Sequence, residues 1–306
     1  MLDKHPLILD IKGNSLDDGP GIRSVIFFKG CPLSCVWCHN PESKKTVAEI
    51  AFDPSECVGC DACLDLCPEK ALSRKNPFFI DRDRCTLCFA CVDECPSGSI
   101  SRVGREMAVD EIVAAVTRDK PFFDTSGGGV TLSGGEPTMF PDFLARLLAA
   151  LKSEGIQTLL ETCGQFNGAG FIEQVLPLVD VIYYDIKLIN PQLHKKFCGV
   201  TNRIILENFI RLSKSAAAGK FMLLPRTPLI PGITATPENL AAIAEFLAEH
   251  HIKKAQLLPY NPLWPTKNQK IGIAGPENPK DDSSRWILRE QIMAYQSIFA
   301  DHGIAT

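Results

Sequence analysis

The 306-residue sequence has no long basic run and no excess of positive charge: 32 Lys and Arg stand against 36 Asp and Glu, a formal net charge of −4. A protein that grips a phosphate backbone needs a basic stripe, so nucleic acid is excluded as the main partner. Long hydrophobic runs are also missing. No apolar stretch approaches the roughly 20 residues that a membrane-spanning helix requires, so no membrane partner is expected. The opening MLDKHPLILDIKGNSLDDGPG contains acidic residues and no signal-peptide core. A cytoplasmic location is therefore expected. One further shortage is local. The segment GCPLSCVWCHNPES holds Cys31, Cys35 and Cys38 at CxxxCxxC spacing and then stops, although a closed metal site usually takes four protein ligands.

Cysteine itself is abundant. Of 13 cysteines, eleven fall between Cys31 and Cys95, and only Cys163 and Cys198 lie beyond. In a reducing compartment such a cluster points to metal ligands or redox centres rather than disulfides. CVGCDACLDLCP and CTLCFACVDECP both read CxxCxxCxxxCP, and the second follows the first by 28 residues. This is the bacterial ferredoxin run, in which the fourth cysteine of each run ligates the other cluster. The spacing assigns Cys57, Cys60, Cys63 and Cys95 to one 4Fe–4S cluster, and Cys85, Cys88, Cys91 and Cys67 to a second. Paired zinc sites are the alternative, but zinc closes with four ligands and does not need a third cysteine two residues on. Cys163 and Cys198 show no ligand spacing and read as small buried residues.

The remainder alternates strand-like and helix-like segments. Strands are expected at 22–28, 129–133, 156–162, 180–188, in KFMLLP and in IKKAQLLPY. Helices are expected at 141–155, in GFIEQVLPLV (weakened by Pro177), RIILENFIRLSKSAAAG, TPENLAAIAEFLAEHH (with a cap near Thr236), and SSRWILREQIMAYQSIFADHG. About six βα units in a row imply a parallel sheet covered by helices, with chemistry at the strand ends. An open doubly wound sheet and a partial barrel both fit this periodicity. The expected division is a unit over 1–46 and 108–306, interrupted by a ferredoxin-like insert over 47–107. Three cysteines after a strand hold three irons of a cube and leave the fourth iron an open position, the mark of a catalytic rather than a structural metal site. A zinc site borrowing His39, or a three-iron cluster, are the plainer alternatives.

With these motifs in view, the sequence resembles the radical S-adenosylmethionine (SAM) enzymes, and DGPGIRSVIFFKGCPLSCVWCHNPES closely resembles the opening of the activating enzymes of glycyl radical enzymes, the pyruvate formate-lyase activating enzyme family. GGGVTLSGGEP, ETCG, YYDIK and LLPYN continue the likeness over nearly the whole chain. The resemblance implies a partial (β/α)6 TIM-type barrel, three 4Fe–4S clusters and SAM as cosubstrate. It also implies the reaction: SAM is cleaved reductively, giving methionine and 5′-deoxyadenosine, while a hydrogen atom is taken from a backbone glycine of a partner glycyl radical enzyme. The insert relates the chain to activators of choline, diol, isethionate or aryl-compound enzymes. A radical SAM enzyme acting on a small molecule is the rival reading, and a simple electron carrier a second. A flavodoxin or ferredoxin donor and a monomeric state are expected.

The resemblance also implies residue roles. Trp37 lies beside adenine, and His39 lines the SAM site and faces the incoming glycine loop. Gly134, Gly135 and Glu136 of SGGEP contact the methionyl ammonium. Lys187 pairs with the SAM carboxylate, and Arg226 and Asn261 are further SAM-site residues. Asp18 contacts the substrate glycine loop. Glu161, Thr162 and Asp185 are expected to hold a monovalent cation. Two positions depart from the prototype: Glu161 stands where it has Asp, and Asn261 where it has His, so a titrating role at the latter is lost.

Overall fold

The computed structural model describes residues 5–262, 264–274 and 286–306. Ten strands are present among them: β1 (Leu7–Ser15), β2 (Arg23–Lys29), β3 (Glu49–Phe52), β4 (Ile100–Val103), β5 (Arg105–Glu106), β6 (Gly129–Gly134), β7 (Gln157–Thr162), β8 (Val181–Asp185), β9 (Met222–Pro228) and β10 (Gln256–Leu258). Eight form one mixed sheet in the order β10-β9-β8-β7-β6-β2-β1-β5. From β2 to β10 all neighbours run parallel, whereas β1 pairs antiparallel with both β2 and β5. The six parallel strands are those the sequence pattern predicts. The two antiparallel strands are an addition at one edge. Residues such as VIFF of β2 and VIYY of β8 are apolar almost without interruption, as strands covered on both faces must be.

Helices cover the outer face. In Pro141–Ser153, Phe143, Leu144, Leu147, Leu148 and Leu151 recur at helical spacing and are buried. They pack with Leu160, Ile182 and Tyr184 from the strands. The Thr236 hydroxyl accepts from the Asn239 N–H and caps the helix Pro237–Glu249. GFIEQVLPLV does not form a regular helix. It breaks into a turn at Gly168–Gly170, a wide turn at Phe171–Val175 and a tight one at Leu176–Leu178, because Pro177 has no N–H to give. The last strand is shorter than expected, with only Gln256–Leu258 paired to β9. The closing helix spans Arg289–Asp301; the expected start at 283–285 lies outside the described residues, as do residues 1–4 of the first unit.

Inward-facing positions alternate along the strands. Leu159, Val181, Tyr183 and Leu224 form a separate apolar layer. One step further along the same faces come Ser133, Glu161, Asp185 and Arg226. The register sets Glu161 opposite Tyr183 and Asp185 opposite Arg226. An apolar floor therefore carries a polar layer at the carboxyl ends of the strands.

The segment 47–107 has its own antiparallel pair, β3 with β4, and its own core of Ile50, Leu72, Phe79, Ile80, Cys91 and Ile100. Its last residues, Arg105 and Glu106, join the main sheet instead. The sequence repeat reappears in the backbone: Gly59 and Leu87 share a left-handed conformation, as do Asp61 and Phe89, 28 residues apart in each case. Besides the β5 strand pairing, ion pairs attach the segment to the rest of the chain. Lys29, fully buried at the end of β2, donates to Glu49 at 2.7 Å and to the Glu42 carbonyl at 2.6 Å. Lys270 pairs with Asp53, and Arg82 reaches the Lys270 carbonyl at 3.5 Å.

Removing one partner of a buried ion pair strands the other charge, at a cost of about 3–5 kcal/mol. Glu49→Leu is therefore expected to lower unfolding free energy on that order, and Lys29→Met with Glu49→Leu to recover most of it. Equal losses in the single and double variants, measured by urea unfolding, would show that the pair does not carry this junction.

Candidate active site

The three-cysteine loop leaves β2 at Lys29 and is held from two sides. On one, the Gly30 N–H donates to the Ser43 carbonyl at 2.6 Å and the Cys31 N–H to that of Lys44 at 3.1 Å. On the other, the Ser34 and Val36 N–H groups donate at 2.8 and 3.0 Å to the carbonyls of Cys198 and Phe197, at the end of the helix Pro191–Cys198. The Lys44 ammonium reaches the Cys35 carbonyl at 3.1 Å. Cys31, Cys35 and Cys38 thus line one side of a cleft of about 250 Å³, together with Trp37 and His39. Strand ends supply the other side: Gly134 of β6 and Gly135 after it, Glu161 and Thr162 from β7, Asp185 of β8 and Lys187 beyond it, Arg226 from β9 and Leu258 from β10.

The glycine pair is required by sterics. A Cβ on Gly135 would lie 2.1 Å from the Gly30 carbonyl oxygen, and one on Gly134 would lie 2.5 Å from the Phe28 nitrogen. Without side chains, the Gly135 N–H bonds the Phe28 carbonyl at 2.8 Å and the Glu136 N–H bonds Gly30 at 2.7 Å. The pair stitches the end of β6 to the cysteine loop while leaving its own backbone on the cleft wall.

Charge is concentrated in the polar layer. Arg226 bridges two carboxylates, Glu161 at 2.5 Å and Asp185 at 3.1 Å, and its guanidinium also lies over the Tyr183 ring. Lys187 pairs with the other Asp185 oxygen at 3.0 Å. Burial alone would raise the Asp185 pKa, but Lys187 and Arg226 hold it below the usual carboxylate range. Burial likewise opposes the charge on Lys187, yet Asp185 and the nearby thiols keep its pKa above the ordinary ammonium value. Cys35 is brought down to about 7, chiefly by a hydrogen bond from Cys198 and, against burial, by Lys187 and Lys44. Burial pushes Cys38 up to about 12.

Several expected residues are placed otherwise. The Glu136 side chain is fully buried beneath the cleft and does not line it. Its oxygens accept from the Thr138 and Thr162 hydroxyls at 2.6 and 2.9 Å and from the Cys163 N–H at 2.7 Å, so no lone carboxylate oxygen is aimed at a ligand ammonium. Asp18 also lies outside the lining. Its carboxylate accepts from the Ser15 hydroxyl, and its carbonyl takes the Thr131 hydroxyl, one inward position below Ser133. Asn261 sits beside His39, hydrogen-bonded to it through its backbone, and is not part of the cleft wall. Of the Glu161, Thr162 and Asp185 trio, both carboxylates pair with Arg226 and the Thr162 hydroxyl donates to Glu136.

Two smaller cavities lie in the segment 47–107. One is lined by Cys57, Cys60, Cys63 and Cys95, the other by Cys67, Cys85, Cys88 and Cys91. Each gathers three cysteines of one run and the fourth of the other. Backbone N–H groups point at the sulfurs: Ala71 to Cys67 at 3.3 Å and Ile100 to Cys95 at 3.5 Å.

Sequence reasoning missed Ser133, whose hydroxyl donates to Glu161 at 2.5 Å, and both Cys163 and Cys198. The strand period offered a signal for Ser133, two residues before Gly135 on the inward face. Nothing local marks the two cysteines, whose proximity to the loop is set by tertiary packing.

Comparison with known proteins gives three family matches: Radical SAM superfamily over residues 82–247, 4Fe-4S dicluster domain over 49–96, and 4Fe-4S single cluster domain over 17–66. The chain is 42% identical to the trans-4-hydroxy-L-proline dehydratase activating enzyme of Clostridioides difficile, over 87% of this chain and 88% of that one. It is 37% identical to the isethionate sulfite-lyase activating enzyme of Desulfovibrio desulfuricans, covering 91% and 89%. It is 39% identical to the benzylsuccinate synthase activating enzyme of Thauera aromatica, covering 89% and 83%. Among solved structures, a radical SAM methyltransferase from Sphaerobacter thermophilus shares the fold, with a TM-score of 0.55, 14% identity, and coverage of 99% of this chain and 76% of that one.

A depressed carboxylate stabilises the fold fully above its unfolded pKa, about 3.9, and loses that contribution as pH falls through its folded value. Asp185→Asn is expected to lower stability at neutral pH and to flatten the acid limb of the unfolding free energy below about pH 4. An unchanged acid slope, measured by urea unfolding across pH, would show that Lys187 and Arg226 do not hold Asp185 ionised.

Proposed function

The chain belongs to the glycyl-radical-enzyme activating enzymes of the Radical SAM superfamily, and from that membership we propose how its cleft and its cysteine-rich segment divide the work. The observation that carries the proposal is the convergence, at one set of strand ends, of three cysteines with a buried network of Lys187, Arg226, Asp185 and Glu161. Because residues from β2 through β10 line a single cleft, we read the six parallel strands as the arc of a partial (β/α)6 barrel. The barrel spans 1–46 and 108–306, with the ferredoxin-like insert between.

Cys31, Cys35 and Cys38 would hold a 4Fe–4S cluster, since all three line the one cleft that Lys187 and the strand ends also line. When bound, that cube supplies one electron to the sulfonium of SAM. The protein's part is binding and orientation. Lys187 and Arg226 carry positive charge into the cleft and receive the methionyl carboxylate. The Gly134 and Gly135 backbone borders the methionyl ammonium, with Glu136 acting beneath as a brace. Trp37, buried in the loop, flanks the adenine. His39 packs on Tyr260 at 6.0 Å between ring centres and faces the mouth. A monovalent cation would bind beside Glu161, Thr162 and Asp185, whose two carboxylates also pair with Arg226. Asp18, half-buried beside the cleft lining, contacts the partner's glycine loop.

The two insert cavities fit two further closed cubes, giving three in all. Eight thiols leave neither an open corner, so the insert relays electrons from a flavodoxin or ferredoxin. Cys60 and Cys88 are exposed and give the entry side. The substrate is a glycine loop of a separate glycyl radical enzyme, received by a monomeric activator in the cytoplasm. The named relatives serve different partner enzymes, so the co-encoded glycyl radical enzyme is the one to assay.

Enzyme, SAM, reductant and that partner, mixed without oxygen, are expected to give the paramagnetic resonance doublet of a glycyl radical on the partner. A peptide copying the glycine loop should react at a fraction of the rate, having lost the remote contacts that position it. SAM cleavage with no radical on any co-encoded partner, but with turnover of a small molecule, would reassign the enzyme to small-molecule chemistry.

A further inference from the structure

The two cysteine cavities of the insert meet opposite ends of one strand pair. β3 and β4 pair Glu49 with Val103 at one end and Phe52 with Ile100 at the other. The Glu49 end lies against the main sheet, where Lys29, two residues before Cys31, bonds Glu49 at 2.7 Å. Ile50, next to Glu49, lines the cavity of Cys67, Cys85, Cys88 and Cys91. Phe52 and Ile100 line that of Cys57, Cys60, Cys63 and Cys95. A strand rises about 3.3 Å per residue, so the wall of the second cavity stands about 7 Å farther along β3 from the main sheet.

A helix ties the nearer cavity to the three-cysteine loop. In Trp264–Lys270, the Lys267 ammonium donates to the Asn40 side-chain oxygen at 2.9 Å and to Glu42 at 3.1 Å, just past Cys38. At the end of the same helix the Lys270 carbonyl accepts from Arg82 at 3.5 Å, and Arg82 also donates to the Ile50 carbonyl at 2.9 Å. Arg82 lies three residues before Cys85. The helix end fits closely around it: a Cβ on Gly272 would stand 2.1 Å from the Arg82 Nε. Lys270 also pairs with Asp53, beyond Phe52, but Asp53 lines neither cavity.

The loops over the two cavities differ in the opposite sense. The 28-residue repeat aligns Gly59 with Leu87 and Asp61 with Phe89. Leu87 and Phe89 pack on the insert core, and the Arg102 guanidinium lies over the Phe89 ring at 4.3 Å. In the first run Val58, Gly59, Cys60 and Asp61 are all exposed. The cavity far from the main sheet is therefore the one with the thinner cover.

We propose that the insert is a directional relay in which Cys57, Cys60, Cys63 and Cys95 hold the outer cluster, on the donor's side, and Cys67, Cys85, Cys88 and Cys91 hold the inner one, on the side of the open site. The proposal rests on the function given above and narrows its entry side to Cys60. One electron leaves a flavodoxin hydroquinone, which becomes the semiquinone, and passes through the outer and inner clusters in turn. No bond forms or breaks on the way.

Hydrogen exchange on the anaerobic wild-type holoenzyme should show protection by flavodoxin at residues 57–62 and none at 85–89. Protection centred on 85–89, or none at 57–62, would overturn the proposal. Paramagnetic resonance of freeze-quenched samples then shows where the electron stops. Mixed with hydroquinone flavodoxin, Cys88→Ala should reduce its outer cluster and leave the open cluster oxidised. Cys60→Ala should leave both the inner and the open cluster oxidised. An open cluster reduced at the wild-type rate in Cys60→Ala would place entry at the inner cluster and equally overturn the order. If a variant loses both insert clusters, the exchange measurement on the wild type decides alone. Iron content and SAM cleavage with a chemical reductant, on the same wild-type samples, test the underlying function separately. Their failure removes the cluster assignments, whereas protection at 85–89 with both intact removes only the order.

Discussion

In the proposed site three thiolates leave a four-iron cube one corner short, and the cleft residues surround the loop that carries them. The loop carrying Cys31, Cys35 and Cys38 has to keep its shape without a fourth ligand to close it. Backbone bonds to Ser43 and Lys44 on one flank and to Phe197 and Cys198 on the other supply the missing restraint. The glycine pair at the end of β6 lets the neighbouring strand come within backbone bonding distance of the same loop. The rigidity of the site thus comes from main-chain contacts, which leaves the side chains free to shape the cleft.

The second constraint is electrostatic. A cosubstrate with a carboxylate, an ammonium and a sulfonium needs charges of both signs close together in a place of limited water. Held alone, each such charge would be costly to bury. Here Arg226 spans Glu161 and Asp185, and Lys187 shares Asp185, so every charge has an opposite neighbour. The apolar layer of Leu159, Val181, Tyr183 and Leu224 lies below them and keeps them at the strand ends. The insert joins this frame through Lys29 and Glu49, immediately before the cysteine loop, so its attachment and the loop share one anchor.

Much of this was legible because it is local. Cysteine spacing is a statement about one loop, and it grouped the cysteines that line each insert cavity. The apolar runs of β2 and β8 and the helical period at 141–153 follow from neighbours in sequence. What was not legible depends on contacts between distant segments. Glu136 reads as a ligand-facing residue, but Thr138, Thr162 and Cys163 claim its oxygens from below. Asp18 reads as a contact for the partner's glycine loop, and the fold adds bonds to Ser15 and Thr131 that the sequence does not announce. Glu161 and Asp185 both pair with an arginine from another strand, a contact that no local pattern announces. Strand β5 is two residues long, too short for any periodicity to announce it. Cys163 and Cys198 carry no spacing signal, and only the folded chain brings them to the loop.

The central claim is that the open corner of the three-cysteine site, and not the insert, is where SAM is cleaved. Replacing Cys35 by Ala tests it directly, with iron analysis and 5′-deoxyadenosine formation measured on the same anaerobic preparation. The wild-type chain should hold about twelve irons, and the variant about eight, in its two closed cubes, with no 5′-deoxyadenosine formed. A Cys35→Ala enzyme that still produces 5′-deoxyadenosine would contradict the account.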